Sequence, residues 1–250
     1  MTDAARTAIV TGGARRIGAA IARALAADGW HLLIHCNRSA EEAVALVGEI
    51  GHARIVQADL ADPDAADRIF AALDGLPPPG LLVNNASVFE YDALEDFTAA
   101  QWDRAQAINL RAPALLTQAF AGAAEREGGG LVVNLIDAKL AFPNPDYFSY
   151  TVSKMGLHGL TDLAARALAP RKVRVCGIAP AVTLLSGPQS PENYARVHAL
   201  NPLERGVAVE DIVAALRFLI ASPTITGQTL ILDGGQRFLG LARDVQFLEP

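Results

Sequence analysis

Cysteine is scarce in this sequence of 250 residues, which contains only two. Cys36 and Cys176 fall within apolar segments, and they are not spaced in the pairs that metal sites and disulfide frameworks use. We interpret both as small buried hydrophobic residues. The sequence therefore predicts no metal site and no disulfide framework.

The sequence also lacks an excess of positive charge and lacks long apolar runs. Its formal net charge is −6 at pH 7, whereas nucleic acids and anionic membranes select basic surfaces, so we expect neither as a partner. A helix that spans a bilayer needs roughly 20 consecutive apolar residues, and no segment meets that length. Residues 1–6 do not begin a secretory leader, and we expect a cytoplasmic protein.

Apolar segments alternate with helical patterns along the chain. The predicted strands are 7–11, 31–35, 53–58, 81–84, 131–136, 173–178 and 229–232. The predicted helices are about 17–28, 39–50, 62–74, 99–126, 150–169 and 209–221. Because the strands are almost continuously apolar, they should be covered on both faces. The alternation predicts an α/β fold, a single Rossmann-type doubly wound parallel sheet of about seven strands flanked by helices.

Two segments bear on the domain organisation. Residues 77–80, Pro-Pro-Pro-Gly, predict a loop rather than a linker, because the alternation resumes directly after them. We therefore expect a single domain over residues 1–250. Between residues 181 and 206 the alternation is interrupted, and a substrate lid is the natural use of such an excursion.

The first predicted strand ends in a glycine-rich turn, Thr-Gly-Gly-Ala-Arg-Arg-Ile-Gly at residues 11–18. Glycines allow a tight turn and a close backbone approach. The helix that follows offers unpaired amides and a partial positive charge to a pyrophosphate. Because the turn lies between a strand and a helix, it predicts a dinucleotide site, with an ordinary tight turn as the alternative.

The end of the second predicted strand distinguishes between nucleotide cofactors. An acid there would accept hydrogen bonds from a ribose 2′-hydroxyl, but this chain has Asn37, Arg38 and Ser39. A guanidinium beside a hydroxyl suits a 2′-phosphate, which favours NADPH over NADH. Arg38 could instead be a surface residue and Ser39 a helix cap. Asp59, after the third strand, could bind the adenine amino group or cap the next helix.

A candidate proton-transfer site combines Asp137, Tyr150 and Lys154. The tyrosine and lysine are four residues apart on one predicted helix face, and the aspartate precedes the tyrosine by thirteen residues, at the end of a predicted strand. The sequence therefore predicts a carboxylate beside this pair. Capping of a following turn is the alternative role of Asp137.

Together these motifs resemble the short-chain dehydrogenase/reductase family across essentially the whole chain. The resemblance is carried by the glycine-rich turn, residues 84–87, Asn109, Tyr150 with Lys154, Pro180 and residues 232–235. It implies hydride transfer from a nicotinamide, a catalytic proton relay that includes Asn109, and a homotetramer. The cofactor contacts that it implies are Gly12, Arg15, Arg16, Ile17, Gly18, Asn37, Arg38, Ser39, Asp59, Leu60, Asn85, Ala86, Ser87, Tyr150, Lys154 and Pro180.

Two departures from the family pattern resemble one of its branches. Arg16 stands where glycine is common, and Asp137 stands where the family usually has a catalytic serine. Both departures are similar to the pteridine reductase branch, which includes the bacterial dihydromonapterin reductases. Phe89 matches an aromatic residue that stacks a pterin in that branch, and Tyr147 matches a pocket residue; core packing and a loop anchor are their alternatives. The implied substrate contacts are Arg16, Ser87, Phe89, Asp137, Tyr147 and Tyr150.

The chemistry of a pterin makes an acid at position 137 intelligible. Carbonyl reduction places negative charge on oxygen, which an ionised carboxylate would repel. A pterin is reduced at a C=N bond and presents N–H donors that a carboxylate accepts. We expect Lys154 to lower the pKa of Tyr150 and Asp137 to raise it, leaving a protonated tyrosine.

The expected function is NADPH-dependent reduction of a small-molecule pterin, with dihydromonapterin or dihydrobiopterin as the leading substrates. A general carbonyl reductase of the same family is the first alternative. A non-enzymatic NADPH-binding sensor is the alternative from another class of protein. Tyr150, Lys154 and Asn109 are all present, which argues against a sensor with a dead site.

We predict that Arg38→Asp shifts the nucleotide preference toward NADH, because a carboxylate repels a 2′-phosphate and accepts hydrogen bonds from a 2′-hydroxyl. The ratio of the NADPH and NADH dissociation constants, measured by fluorescence titration, should change by about tenfold or more. An unchanged ratio would remove Arg38 from the 2′-phosphate site.

Overall fold

Seven parallel strands form a single sheet in the computed structural model, which describes residues 5–185 and 189–248. The strands are β1 Thr7–Val10, β2 His31–Cys36, β3 Ala53–Gln57, β4 Pro79–Asn84, β5 Gly130–Leu135, β6 Val173–Pro180 and β7 Thr229–Leu232. Their order across the sheet is β3-β2-β1-β4-β5-β6-β7, and every neighbouring pair is parallel. The predicted α/β fold is confirmed.

Helices connect the strands and cover both faces of the sheet. They are α1 Arg16–Ala27, α2 Ala40–Ile50, α3 Ala65–Ala71, α4 Ala99–Gln106, α5 Ala112–Glu125, α6 Phe148–Leu168, α7 Pro191–His198 and α8 Val209–Ala221. A π-helical turn, Ala107–Arg111, joins α4 to α5, so the single helix predicted for 99–126 has three parts. Among the described residues, no helix is both long enough and apolar enough to cross a lipid bilayer.

Two hydrophobic layers cover the sheet because successive strand residues point to opposite faces. Val10 belongs to the layer that holds side chains of α1, α2 and α8. Its neighbour Ile9 belongs to the other layer, in which Phe120 of α5 is fully buried together with side chains of α3 and α6. The almost unbroken apolar strands of the sequence follow from this coverage.

The strand order reverses between β1 and β4, and this reversal positions the candidate site. After β1 the chain moves outward through β2 and β3, whereas after β4 it moves in the opposite direction through β5, β6 and β7. The connections that leave the carboxyl ends of β1 and β4 therefore separate and open a crevice. Gly12 and Asn85 lie at its edge, directly after those two strands.

Residues 77–80 were expected to form a loop, and this prediction is wrong for Pro79 and Gly80. Strand β4 begins at Pro79, which pairs with Thr7 where the register of β1 and β4 shifts. Proline is tolerated at the first residue of a strand and at such irregularities because no ladder N–H is required there. Gly80 lies under the side chain of Arg6, whose Nε would be 2.5 Å from a Cβ at this position.

Helices α3 and α6 differ from the predictions, and helix α7 was not predicted. Helix α3 is shorter than 62–74, since Pro63 disfavours helical backbone at Asp62. Helix α6 begins at Phe148, two residues before the predicted start. Helix α7 lies within the interrupted segment 181–206, and its start is stabilised by the Ser190 hydroxyl, which accepts a hydrogen bond from the Asn193 amide at 3.1 Å. Residues 186–188 of the expected lid lie outside the described residues.

Candidate active site

Two adjoining cavities open at the carboxyl edge of the sheet. The glycine-turn cavity, about 440 Å³, lies along the crevice between β1 and β4. The predicted cofactor residues that line it are Gly12, Arg15, Arg16, Ile17, Gly18, Asn37, Arg38, Ser39, Asp59, Leu60, Asn85, Ala86 and Ser87. The tyrosine cavity, about 460 Å³, continues from it. The predicted residues that line it are Arg16, Ile17, Asn85, Ser87, Phe89, Asp137, Tyr150, Lys154 and Pro180.

The glycine-rich turn is folded tightly against the start of α1. A Cβ on Gly18 would lie 2.2 Å from the carbonyl oxygen of Gly12, so no larger residue can occupy position 18 without displacing the backbone. Gly12 itself has a φ of 59°, and Arg16, at the position where relatives commonly have glycine, has a φ of 53°. A non-glycine residue in this region costs about 1–2 kcal/mol. The structure therefore retains the arginine side chain at an energetic cost.

His35 is a buried residue of this cavity that the sequence did not single out. Its Nδ1 accepts a hydrogen bond from the Gly12 amide at 3.1 Å, and its Nε2 lies 3.0 Å from the Ala58 carbonyl, which assigns the proton to Nε2. Burial lowers the pKa of His35, so the ring is neutral at neutral pH. The histidine joins the glycine-rich turn to the end of β3.

The end of the cavity near β2 and β3 contains the candidate 2′-phosphate residues. Ser39 precedes α2 but makes no side-chain capping hydrogen bond, which disfavours its alternative role as a cap. Arg15 is exposed and pairs with Glu42 at 3.5 Å. Asp59 accepts a hydrogen bond from the Ala61 amide at 2.9 Å, and this bond is the main cause that lowers the pKa of its carboxyl. Asp59 therefore shapes a turn and lines the cavity as well.

The predicted contact between Asp137 and Tyr150 is present. The Tyr150 hydroxyl donates a hydrogen bond to Asp137 Oδ2 at 2.7 Å. The other carboxylate oxygen, Oδ1, accepts from the Lys139 amide at 2.8 Å and begins a short 3₁₀ turn, Ala138–Ala141. The capping role and the tyrosine contact were considered as alternatives, and Asp137 performs both.

Burial dominates the electrostatics of this pair and of Lys154. Burial and then the charge of Asp137 raise the pKa of Tyr150 well above 10. Burial lowers the pKa of Lys154 to about 8, although the nearby Asp137 opposes that shift. Lys154 Nζ donates to the Leu135 carbonyl at 2.7 Å and lies 5.7 Å from the centroid of the Tyr150 ring. This direction agrees with the expected protonated tyrosine, with burial as the largest cause, but the expected lowering of the Tyr150 pKa by Lys154 is not among the causes of the shift.

Asn109 lies in the π-helical turn and does not line either cavity. Its amide nitrogen donates to the Val88 carbonyl and to Ser153 Oγ, both at 3.0 Å. Its amide oxygen accepts from the Val88 amide at 2.9 Å and from Ser87 Oγ at 3.1 Å. The side chain thus ties the loop after β4 to α6, and its participation in a proton relay stays a prediction.

An aromatic stack forms one wall of the tyrosine cavity. Phe89 is 36% exposed, stacks on Tyr147 with 4.0 Å between ring centroids, and meets Tyr150 edge-on at 4.7 Å. Tyr147 is buried behind Phe89 and does not line the cavity itself. Its hydroxyl donates to Gln246 Oε1 at 2.5 Å. Phe89 therefore presents the ring face to the cavity, and Tyr147 supports it from behind.

The sequence reasoning missed the C-terminal segment, residues 243–246, which lines the same cavity. Arg243 binds both oxygens of Asp146, at 3.0 and 2.8 Å. Asp244 Oδ2 lies 3.6 Å from Lys139 Nζ, and both side chains are largely buried. The only signal in the sequence is a pair of charged residues in an otherwise apolar stretch. Within the described residues, no group of His, Cys, Asp and Glu has the arrangement of a metal site.

Arg16 connects the two cavities to the segment after β6. Its Nη2 donates to the Leu185 carbonyl at 2.8 Å, and Thr183 and Leu184 line the tyrosine cavity. The Tyr194 hydroxyl of α7 donates to the Thr183 carbonyl at 2.8 Å. Residues 181–184 and Gln189 of the segment expected to form a lid therefore line the cavity, and its action as a lid stays a prediction.

Comparison with known proteins agrees with this geometry. A family model described as enoyl-(acyl carrier protein) reductase matches residues 12–237. Dehydrogenase/reductase SDR family member 4 from Pongo abelii is 33% identical, over 92% of this chain and 87% of that protein. The chain belongs to the short-chain dehydrogenase/reductase family.

Other members of the short-chain dehydrogenase/reductase family are similar over almost the whole chain. A probable galactose dehydrogenase, GalD, from Rhizobium meliloti is 33% identical over 92% of this chain and 94% of its own length. The crystal structure of FolM alternative dihydrofolate reductase 1 from Brucella canis, complexed with NADP, superposes with a TM-score of 0.90 and 42% identity. The alignment covers 94% of this chain and 95% of that one. The predicted family is confirmed.

We predict that Lys154→Met stabilises the fold at pH 7. A fall of the lysine pKa from 10.5 to about 8 corresponds to roughly 3 kcal/mol that opposes folding. Below about pH 8 the ammonium is charged in the folded and the unfolded chain, so this cost is fully present. Between about pH 8 and 10.5 the folded chain binds fewer protons, and wild-type stability rises with pH.

Because the variant also loses the hydrogen bond to Leu135, the expected gain in unfolding free energy is about 2 kcal/mol at pH 7, and it should shrink by about pH 9.5. Urea unfolding at the two pH values measures it. Lys172→Met, at an exposed position, is the control and should change little. A destabilised Lys154→Met protein at pH 7 would contradict the prediction.

Proposed function

We propose that this protein reduces the C=N bond of a dihydropterin and uses NADPH as the reductant. The observation that carries the proposal is the 2.7 Å hydrogen bond between Tyr150 and Asp137. It puts a carboxylate where carbonyl-reducing relatives are expected to have a hydroxyl donor. Phe89 provides an aromatic face beside that pair. Dihydromonapterin and dihydrobiopterin are the leading substrates, and we retain a homotetramer as the expected assembly.

The residues of the glycine-turn cavity suit a dinucleotide. The close contact of Gly18 with Gly12 brings the turn onto the N-terminus of α1, where backbone amides favour a pyrophosphate. Arg38 and Ser39 line the end of the cavity where a 2′-phosphate would be bound. The NADP complex of the FolM relative supports this choice. When bound, NADPH supplies the hydride.

Tyr150 is suited to hold the proton that the substrate nitrogen receives. Its raised pKa keeps the hydroxyl protonated at neutral pH, as a general acid requires. In the free protein the Tyr150 hydroxyl donates a hydrogen bond to Asp137. The Asp137 carboxylate can equally accept hydrogen bonds from the N–H groups of a pterin. Lys154 provides a cation at the same wall, which suits binding of ribose hydroxyls. Burial of Tyr150 and Lys154 strengthens the interactions of these two groups with substrate.

A general carbonyl reductase is the second candidate, and the similarity to a galactose dehydrogenase favours it. The carboxylate of Asp137 argues against it, because the negative charge that develops on a carbonyl oxygen would face this group in the cavity. A direct comparison of substrates distinguishes the two candidates.

We predict that the protein oxidises NADPH with 7,8-dihydropterins at a kcat/KM at least about tenfold above that for simple ketones and keto-esters. This difference corresponds to about 1.4 kcal/mol of transition-state stabilisation. The measurement is a side-by-side absorbance assay that includes dihydrofolate and fully oxidised pterins. Faster reduction of the ketones would favour the carbonyl reductase instead.

Asp137→Ser should lower kcat/KM for a dihydropterin by about tenfold or more, since the substrate loses a charged acceptor. The same variant should gain activity toward ketones, because the repelling carboxylate is replaced by a hydroxyl donor. Asp137→Asn is the matched comparison, as it keeps the shape and removes the charge. Improved dihydropterin reduction by the serine variant would refute this role for the acid.

A further inference from the structure

The wall of the tyrosine cavity opposite the sheet contains a buried ion pair. Lys139, from the loop after β5, and Asp244, from the C-terminal segment, approach to 3.6 Å with side chains only 9% and 14% exposed. Both line the cavity that also contains Asp137, Tyr150 and Phe89. The wall thus presents an ammonium donor and a carboxylate acceptor side by side, on side chains that the proposed reaction does not use.

This wall is held in place by contacts on both of its sides. Lys139 Nζ donates to the Asp146 carbonyl, and the Asp244 amide donates to Asp146 Oδ2 at 2.7 Å. Arg243 binds the same carboxylate, and Gln246 accepts from Tyr147. The donor and acceptor therefore stand in fixed positions before any ligand arrives, which reduces the cost of ordering on binding.

Asn144 adds a group whose hydrogen bonding is incomplete. It lies between Lys139 and Asp146 in the same loop and lines the same cavity. Its side-chain oxygen is buried, and none of the residues in the described part of the chain donates a hydrogen bond to it. A buried acceptor without a donor costs about 1–3 kcal/mol, and a ligand that brings an O–H or N–H group would remove that cost.

We propose that Lys139, Asn144 and Asp244 form a subsite for a neutral, hydroxyl-bearing substituent of the substrate. A hydroxyl both donates and accepts, so adjacent hydroxyls can donate to Asp244 and Asn144 while accepting from Lys139. The proposal rests on the proposed function, because the substituent is the side chain of the pterin ring that lies against Phe89. It makes the C-terminal segment a determinant of which dihydropterin is accepted.

The charges of the wall disfavour an anionic substituent. A carboxylate brought to Lys139 would also meet Asp244, which already pairs with that lysine. Arg243 and Arg237 line the cavity too, but each is bound to an aspartate, Asp146 and Asp233 respectively. At this wall a glutamate-bearing tail would therefore have to displace an existing ion pair, whereas a polyol would not.

The test compares two 7,8-dihydropterins that differ only at C6, one with a trihydroxypropyl chain and one with a methyl group. The readout is the ratio of their kcat/KM values with NADPH. We expect the ratio to exceed about tenfold in the wild-type protein, and to fall by about fivefold or more in Asp244→Asn and in Asn144→Ala. The kcat/KM for the methyl compound should stay within about twofold. Glu49→Gln, which removes an exposed ion pair on α2, is the control and should leave the ratio unchanged.

The outcomes separate this proposal from the proposed function. Reduction of both dihydropterins with a ratio near one, or a ratio that neither variant changes, overturns the subsite and leaves the reductase assignment standing. Equal losses for both compounds in the variants indicate a purely structural role and also overturn it. Failure to reduce any dihydropterin overturns both. Titration of NADPH, monitored by fluorescence, verifies that each variant retains its fold and its nucleotide site.

Discussion

The candidate site depends on three ionisable groups held in one small volume, and two of them, Tyr150 and Lys154, are buried. A lysine, a tyrosine and an aspartate are held against each other where β5 ends and α6 begins. In such surroundings a charge is costly unless it is paired. The tyrosine therefore retains its proton, and the lysine is held by a backbone carbonyl and the field of the aspartate. The parallel sheet meets this requirement, because the end of β5 brings Asp137 up to the first turn of α6.

The glycine-rich turn also contains a residue whose conformation costs stability, at a position that lines both cavities. Arg16 adopts a backbone conformation that favours glycine, and its guanidinium reaches toward the segment after β6. The buried Lys154 is a second residue that weakens the fold at neutral pH. Local strain and buried charge of this kind are concentrated at functional sites, where the surrounding structure compensates for them. The two apolar layers on the sheet provide that compensation.

The sequence predicted those features that depend on local pattern and on short connections. Apolar strands, the glycine-rich turn and the spacing of Asp137, Tyr150 and Lys154 are all of this kind, and the sheet and the Tyr150 contact agree with them. The C-terminal segment was not predictable in this way. Arg243 and Asp146 are 97 residues apart, and no periodicity links them. The same holds for His35, whose contacts join the ends of three strands.

The position of Tyr147 shows the limit of a match between residue types. The tyrosine was expected to touch the substrate, but Phe89 lies in front of it and the ring is buried. Its left-handed backbone, at the residue before α6, could not be read from spacing. Likewise, Pro79 enters β4 because its strand partner shifts register there, which depends on tertiary contact and not on local preference.

The residues that hold the proton and the C-terminal segment that completes the cavity come from different parts of the chain. Tyr150 and Lys154 belong to α6 and Asp137 follows β5, whereas another part of the cavity lining is formed by residues 243–246. Under the proposed subsite, substitutions in this short segment would change which substrate is preferred and would leave Asp137, Tyr150 and Lys154 unaltered.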